Sequence, residues 1–410
     1  MKNNIWSRAG FLFSTFLPHF AASLAFGSVG PLALFFQTEF AVSRVHLGSL
    51  TSAHSLGCLI MALVSGSIIE RSGIRKWFLL CPVLSGVFFL LFLGVTSYYQ
   101  AIAIFLILGI IFSFINPATT KAILVGFSQV GRGTAMALKQ TGTPAGVFLA
   151  SVSIPVIAVL AGWNWGLLFV GFVNLVVGVF AWLLYGEEDS RAGSALCHQE
   201  KSNLKKDFSE LLHNRNFLLI SFLQGIFNIG LFVIQAYLIL YLVESLSYSA
   251  IYAGFIMAVT QFCGIIGRIM WGLLSDFVFS GKRVPTLQIA GFTTTLGLFG
   301  LAVISSSTPA WIIWVIASLV GAGTIGFAGT SILLRAELTP KNLVATSTGL
   351  GMAIASWGVL LGPPVFGFIV DVNDSYKMAW VLLAAVSLAG TLLLGAIRER
   401  KSEDKDLEYT

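Results

Sequence analysis

Gly66-Ser67-Ile68-Ile69-Glu70-Arg71-Ser72-Gly73-Ile74-Arg75-Lys76 interrupts two long apolar runs. A related stretch follows far along the chain, Gly272-Leu273-Leu274-Ser275-Asp276, closing with Gly281-Lys282-Arg283. In each copy an apolar helix ends on a glycine, an acid stands four residues on, and a second glycine precedes basic residues. A charged hinge written twice into an apolar chain implies a membrane protein built from two related halves.

The bulk composition agrees with that class. Hydrophobic residues make up 56% of the 410 and charged residues only 10%, against about 25% charge in a soluble domain. Mean hydropathy is +0.88. Such a chain lacks the polar surface of a large soluble enzyme. Its 42 glycines suit helices packed in lipid, where glycine lets backbones approach closely. Stretches of roughly 20 apolar residues fall near 10–36, 46–69, 77–97, 101–124, 133–160, 164–185, 216–243, 249–275, 285–305, 310–334, 343–370 and 377–397. The stretch after Gly10 outruns a signal-peptide core and reads as a retained first span. The expected architecture is all-α, with twelve transmembrane helices in two pseudo-symmetric six-helix bundles. The bundles occupy 1–185 and 216–397, joined by a linker at 186–215 and followed by a tail at 398–410. Leucine and phenylalanine spacing over 204–212 predicts a short amphipathic helix lying on the membrane surface.

A net charge of +6 would suggest nucleic acid in a soluble protein. Here Lys2, Arg8, Arg71, Arg75, Lys76, Arg132, Lys282, Arg283, Lys341, Arg398 and Arg400 crowd loops on one side, and only Arg44 and Lys377 mark the other. Orientation explains that bias, with both termini cytoplasmic in a cell (inner or plasma) membrane and no nucleic-acid partner. The four cysteines lack metal spacing. With no nucleotide loop or nucleophile triad either, the sequence implies no metal, no cofactor and no enzyme.

Charges at membrane depth are costly and so become functional candidates. Arg268 lies well inside the eighth span, with Gln261 seven residues earlier on one face. A guanidinium can grip a carboxylate through two bonds; an internal bridge to Asp276, or snorkelling, is the alternative. Lys139 in the fifth span lines an anion pathway or snorkels. Ser221, Gln224, Asn228 and Gln235 share a narrow sector of the seventh span and either glue helices together or line a wet cavity. Asn116 with Thr120 repeats that pattern more weakly in the fourth. His19 and His54 could each hold a coupling proton or act as neutral hydrogen-bonding groups. None of the 18 acidic residues falls in the middle of a span. Buried bases without a buried acid favour an anionic substrate over a cationic one.

Twelve spans in a six-plus-six arrangement, with the hinge in both halves, resemble the major facilitator superfamily. Its loop signature runs glycine, three residues, aspartate-arginine, one residue, glycine, one residue, two basic residues. Gly66, Arg71, Gly73, Arg75 and Lys76 match, with Glu70 in place of aspartate. Gly272, Asp276, Lys282 and Arg283 carry the second copy over a longer loop. The resemblance implies that these residues gate the carrier and hold its outward-facing state. The positive-inside rule is the plainer account of Arg71, Arg75 and Lys76. Gly133, Gly142 and Gly146 resemble the family's antiporter motif, with Val147 where proline is usual. Together with Met136 they recur at one constant offset as Gly349, Gly358, Gly362 and Met352. Close packing of the two halves is the simpler expectation for those glycines. Gly267-Arg268-x3-Gly272-x3-Asp276 resembles the eighth helix of monocarboxylate-type carriers, which implies that Arg268 engages a substrate carboxylate.

The sequence therefore predicts a monomeric secondary carrier moving a small organic anion, a monocarboxylate among the candidates, by alternating access. Arg268, Gln224, Asn228, Gln235, Asn116, Lys139 and Gln261 would contact substrate, and His19 would couple a proton. Its rivals are an exporter of amphipathic compounds and a non-transporting membrane sensor or scaffold.

Overall fold

An apolar run in lipid has no water to satisfy its backbone, so it must close its hydrogen bonds internally as a helix. The computed structural model describes residues 5–62, 64–127, 132–186, 204–340, 343–397 and 399. Among them twelve helices are long and apolar enough to cross a membrane. The first six run Ala9–Phe40, Arg44–Ala62, Ile74–Gly94, Tyr98–Gly126, Ala135–Ala161 and Trp163–Leu184. The other six run Arg215–Glu244, Ala250–Val278, Arg283–Val303, Ala310–Glu337, Thr346–Asn373 and Tyr376–Ala396. The second span stops at Ala62, earlier than its apolar run predicts, and a separate helix, Ser65–Ser72, carries the hinge.

The chain forms two compact units. The first joins Met1–Lys201 with Gln235–Ala258, and the second joins Ser202–Ile234 with Val259–Thr410. In the first unit Phe11, Phe78, Phe114 and Tyr185 are buried in one apolar cluster. Residues Gln235–Ala258, from the seventh and eighth spans, are fastened to this unit at the end opposite the Gly66–Lys76 hinge. There Arg44 donates from Nε and Nη2 to one oxygen of Glu244, at 3.0 and 2.9 Å, and the Tyr237 hydroxyl donates to the Arg44 carbonyl at 2.7 Å. In the second unit Leu223, Phe227, Trp271 and Phe327 are buried together. The short helix Leu204–His213 forms as expected and buries Leu211 against Phe217 and Leu343.

Three spans of the first unit share one irregularity. The first, fourth and fifth break at Ser28, at Ser113–Phe114 and at Thr141. Pro31, Pro117 and Pro144 follow within the first turn of the resumed helix. A proline has no N–H for the carbonyl four residues back, and its ring crowds that carbonyl, so the helix must restart there. The second unit bends differently, through π-helical turns at Leu274–Val278 and Gly321–Ile325. A π turn leaves carbonyls off register, and the Trp271 indole donates to Ala322 O at 2.7 Å.

Four of the glycines that repeat between the halves, Gly142, Gly146, Gly358 and Gly362, make contacts inside one unit, whereas a Cβ on Gly349 would meet nothing within 4 Å. A Cβ on Gly142 would lie 2.7 Å from Phe16 O, and one on Gly146 would lie 2.7 Å from Leu24 N, which sets the fifth span on the first. Gly358 and Gly362 do the same for the eleventh span against Gly225 and Ile229 of the seventh. The packing expected of two halves is thus packing of two helices within one half. Gly267 and Gly272 separate two roles on one helix. A Cβ on Gly267 would meet Ala322 O at 2.6 Å, whereas nothing lies within 4 Å of one on Gly272. Gly267→Val is expected to lower the melting temperature in detergent by several degrees, an overpacking cost of about 1–3 kcal/mol. Gly272→Ala should leave it unchanged, and equal effects would refute the packing described.

Candidate functional site

Asn116, Thr119 and Thr120 open the helix that restarts after Phe114, and their spacing puts them on one face. Lys139 lies in the last turn of Arg132–Gln140, just before the break at Thr141. A cation near a helix C-terminus meets the negative end of its dipole. The two restarts bring these groups together. The Lys139 ammonium donates to Asn116 Oδ1 at 3.0 Å, Thr119 Oγ1 at 3.2 Å and Thr120 Oγ1 at 2.5 Å. Its residue is 2% exposed. All three ammonium hydrogens are used, yet every acceptor is neutral. Among the described residues no carboxylate balances the charge.

His19, from the first span, joins the same cluster, with Nε2 at 3.0 Å from Thr119 Oγ1. Thr119 Oγ1 also lies 2.8 Å from Ile115 O. The arrangement that satisfies every group sends the hydroxyl proton to that carbonyl, so Nε2 carries hydrogen and Thr119 accepts from both His19 and Lys139. His54 differs. Its ring packs 4.4 Å from Phe26 and 5.3 Å from Phe112, centroid to centroid, as an aromatic packing residue.

The second unit holds a cation of its own that the sequence pattern does not single out. Arg335 is 1% exposed and donates from Nη1 to Gln224 Oε1 at 3.0 Å. It sits two residues before Glu337, at a span end, where an arginine reads as ordinary loop charge. The only signal that could have found it is the repeat. Arg335 follows Thr119 by 216 residues, the same interval that separates Gly349 from Gly133.

The remaining candidates disperse. Arg268 is half-buried and donates from Nε to Ile325 O at 3.1 Å, at the end of the π turn. Gln261 is fully buried on the same helix. Asn228 donates to Ala355 O at 3.4 Å. The seventh-span stripe divides, since Ser221, Gln224 and Asn228 belong to the second unit and Gln235 to the first.

The profile described as Major Facilitator Superfamily matches residues 15–358. The chain belongs to the Major Facilitator Superfamily. Its relatives include carriers of sugar acids and, at 25% identity over 347 residues, the membrane sensor protein UhpC of Escherichia coli. The probable galactarate/D-glucarate transporter GudP of Bacillus subtilis is 23% identical over 416 residues, covering 90% of this chain and 89% of its own. The hexuronate transporter of Bacillus subtilis is 21% identical over 378 residues, covering 88% and 87%. Among solved structures, the nucleoside transporter NupG superposes with a TM-score of 0.77 at 13% identity, covering 96% of this chain and 99% of NupG, a likeness of fold.

Within that superfamily frame the two hinges share a backbone requirement. Gly73 and Gly281 both adopt positive φ, at 85° and 81°, a conformation that a side chain strains. In the first hinge Arg71 and Lys76 are exposed, while the Arg75 guanidinium stacks 4.4 Å over Trp182. The side chain of Glu70 lies outside the described residues. In the second hinge Arg283 pairs with Asp276 and, at 3.2 Å, with Glu337. Glu399 accepts from the backbone N–H groups of Arg283 and Val284, capping the ninth span. Gly66 and Gly272 have open space around them, so packing does not demand either.

The Lys139 cluster makes two opposite stability effects measurable. Lys139→Met removes a buried charge that lacks a counter-charge, so the unliganded protein should melt at the same or a higher temperature. Asn116→Leu leaves the ammonium short of an acceptor and should cost about 1–3 kcal/mol. A fall in melting temperature for Lys139→Met at least as large as for Asn116→Leu would show Lys139 to be purely structural.

Proposed function

We propose that this chain is a secondary active transporter that carries a small organic anion across the membrane by alternating access. The observation behind that reading is Lys139, a buried cation with three neutral hydrogen-bond acceptors and no carboxylate among its described partners. Burying an uncompensated charge at membrane depth is costly, and an anionic substrate would offset that cost each time it binds. Carriers of galactarate, D-glucarate and hexuronate among the relatives support a carboxylic acid as cargo, with simple monocarboxylates as the narrower alternative.

In this scheme Lys139 meets the carboxylate and Asn116 orients it. His19, linked through Thr119 Oγ1, exchanges the coupling proton. Gln224, Asn228, Gln235, Gln261 and Arg268 complete recognition. The bundles 1–185 and 216–397 move about the linker 186–215, and the loops of Gly66–Lys76 and Gly272–Arg283 act as gates. The protein works as a monomer in the inner or plasma membrane. The loop-charge bias supports cytoplasmic termini. The exporter reading rests on the glycines of the fifth span, of which Gly142 and Gly146 have a packing role against the first span.

Uptake into proteoliposomes tests the scheme. Radiolabelled glucuronate and lactate are the cargo, with and without an inward proton gradient. Lys139→Gln should reduce uptake of the transported acid at least tenfold, the loss of roughly one charge-assisted hydrogen bond. His19→Ala should abolish the response to the gradient while leaving exchange of labelled for unlabelled acid intact. Full uptake by Lys139→Gln, or uptake only of cationic compounds, would sink the anion reading.

A further inference from the structure

The second unit contains donors without acceptors. Arg335 is 1% exposed, and its Nη2 makes no hydrogen bond within the protein. Its neighbour Nη1 is spent on Gln224 Oε1 at 3.0 Å. Among the described residues no acid pairs with this guanidinium. The nearby acid Glu337 faces Arg283 instead.

The space around Arg335 is shaped for it. A Cβ on Gly351 would lie 2.5 Å from Arg335 Cδ and Nη1 and 2.7 Å from Cζ, so the guanidinium rests directly on the glycine backbone. Ser221 stands one turn from Gln224 on the same face of the seventh span, and its buried hydroxyl is also unmatched. A guanidinium edge and a hydroxyl ask for an oxygen-rich ligand with negative charge.

We propose that Arg335, held by Gln224 and seated on Gly351, is an anion-recognition site of the second unit that takes the carboxylate of a hydroxylated acid. The proposal rests on the organic-anion reading above and narrows it, because the Ser221 hydroxyl matches a substrate hydroxyl as well as a carboxylate. Arg335 is then a binding residue in its own right. Its bond to Gln224 fixes the plane of the guanidinium and leaves the Nη2 edge for the ligand.

Ligand-induced thermal shift and equilibrium binding on the purified full-length protein test this. The probes are D-glucuronate, galactarate, L-lactate and inorganic phosphate. The wild type should bind glucuronate or galactarate more tightly than lactate. Arg335→Gln should weaken that binding by roughly tenfold to a hundredfold without lowering the melting temperature of the unliganded protein. Arg335→Lys should fall between, since a point charge replaces a planar fork. Gly351→Ala pushes the guanidinium aside with Arg335 intact, and should weaken binding by about threefold to tenfold. That variant decides the matter if Arg335→Gln does not fold.

Wild-type affinity in both Arg335→Gln and Gly351→Ala, with binding lost in Lys139→Gln, overturns this proposal and leaves the organic-anion reading standing. Failure of every organic acid to bind the wild type overturns both. Binding of phosphate alone, lost with Arg335, overturns the carboxylate assignment. A lower melting temperature with unchanged affinity in Arg335→Gln makes the arginine structural.

Discussion

A cation kept from both water and carboxylate is the constraint around which the described residues are arranged. Lys139 is dry, and its three bonds end on an amide and two hydroxyls. Neutral acceptors satisfy its hydrogens without cancelling its charge, so the residue stays electrostatically unsettled. The acceptors sit where they do because two helices restart. Pro117 forces a new helix whose first turns carry Asn116, Thr119 and Thr120, and Pro144 ends the run that carries Lys139.

Acids and bases meet elsewhere. Arg44 is matched by Glu244, and Arg283 by Asp276 and Glu337, all near span ends. Those pairs are partly solvated, and each contributes little to stability on its own. The spans thus divide their charges by depth. Paired charges lie at the ends, where rearrangement is cheap, and cations without carboxylates lie inside.

Much of this was legible in the sequence. Hydropathy placed the spans because lipid leaves a polar backbone no alternative to helix. The hinge glycines at Gly73 and Gly281 were legible as a repeat, and positive φ explains their identity. Arg268 shows where legibility ends. Its backbone partner Ile325 O lies at the end of a π turn, and a one-residue shift of hydrogen-bond register leaves no mark in composition or periodicity. Arg335 was hidden for another reason. Its Cα belongs to a span end, but its side chain reaches Gln224, nine residues inside the seventh span, so sequence position misstates the depth of the charge.

The internal repeat explains how each half came to hold one such cation by a different route. At the shared interval of 216 residues, Thr119 corresponds to Arg335, Ala135 to Gly351, and Lys139 to Ala355. In the first half the fourth span offers a short threonine and the cation arrives from the fifth. In the second half the tenth span supplies the long arginine, and the eleventh-span counterpart of Lys139 is Ala355, whose carbonyl serves Asn228. The switch needs room, and it appears at one position. Ala135 is fully buried, and the space that Arg335 occupies exists only because Gly351 has no Cβ. A hydrogen-bonding partner from the opening helix of each half, His19 through Thr119 and Gln224 directly, is kept in both.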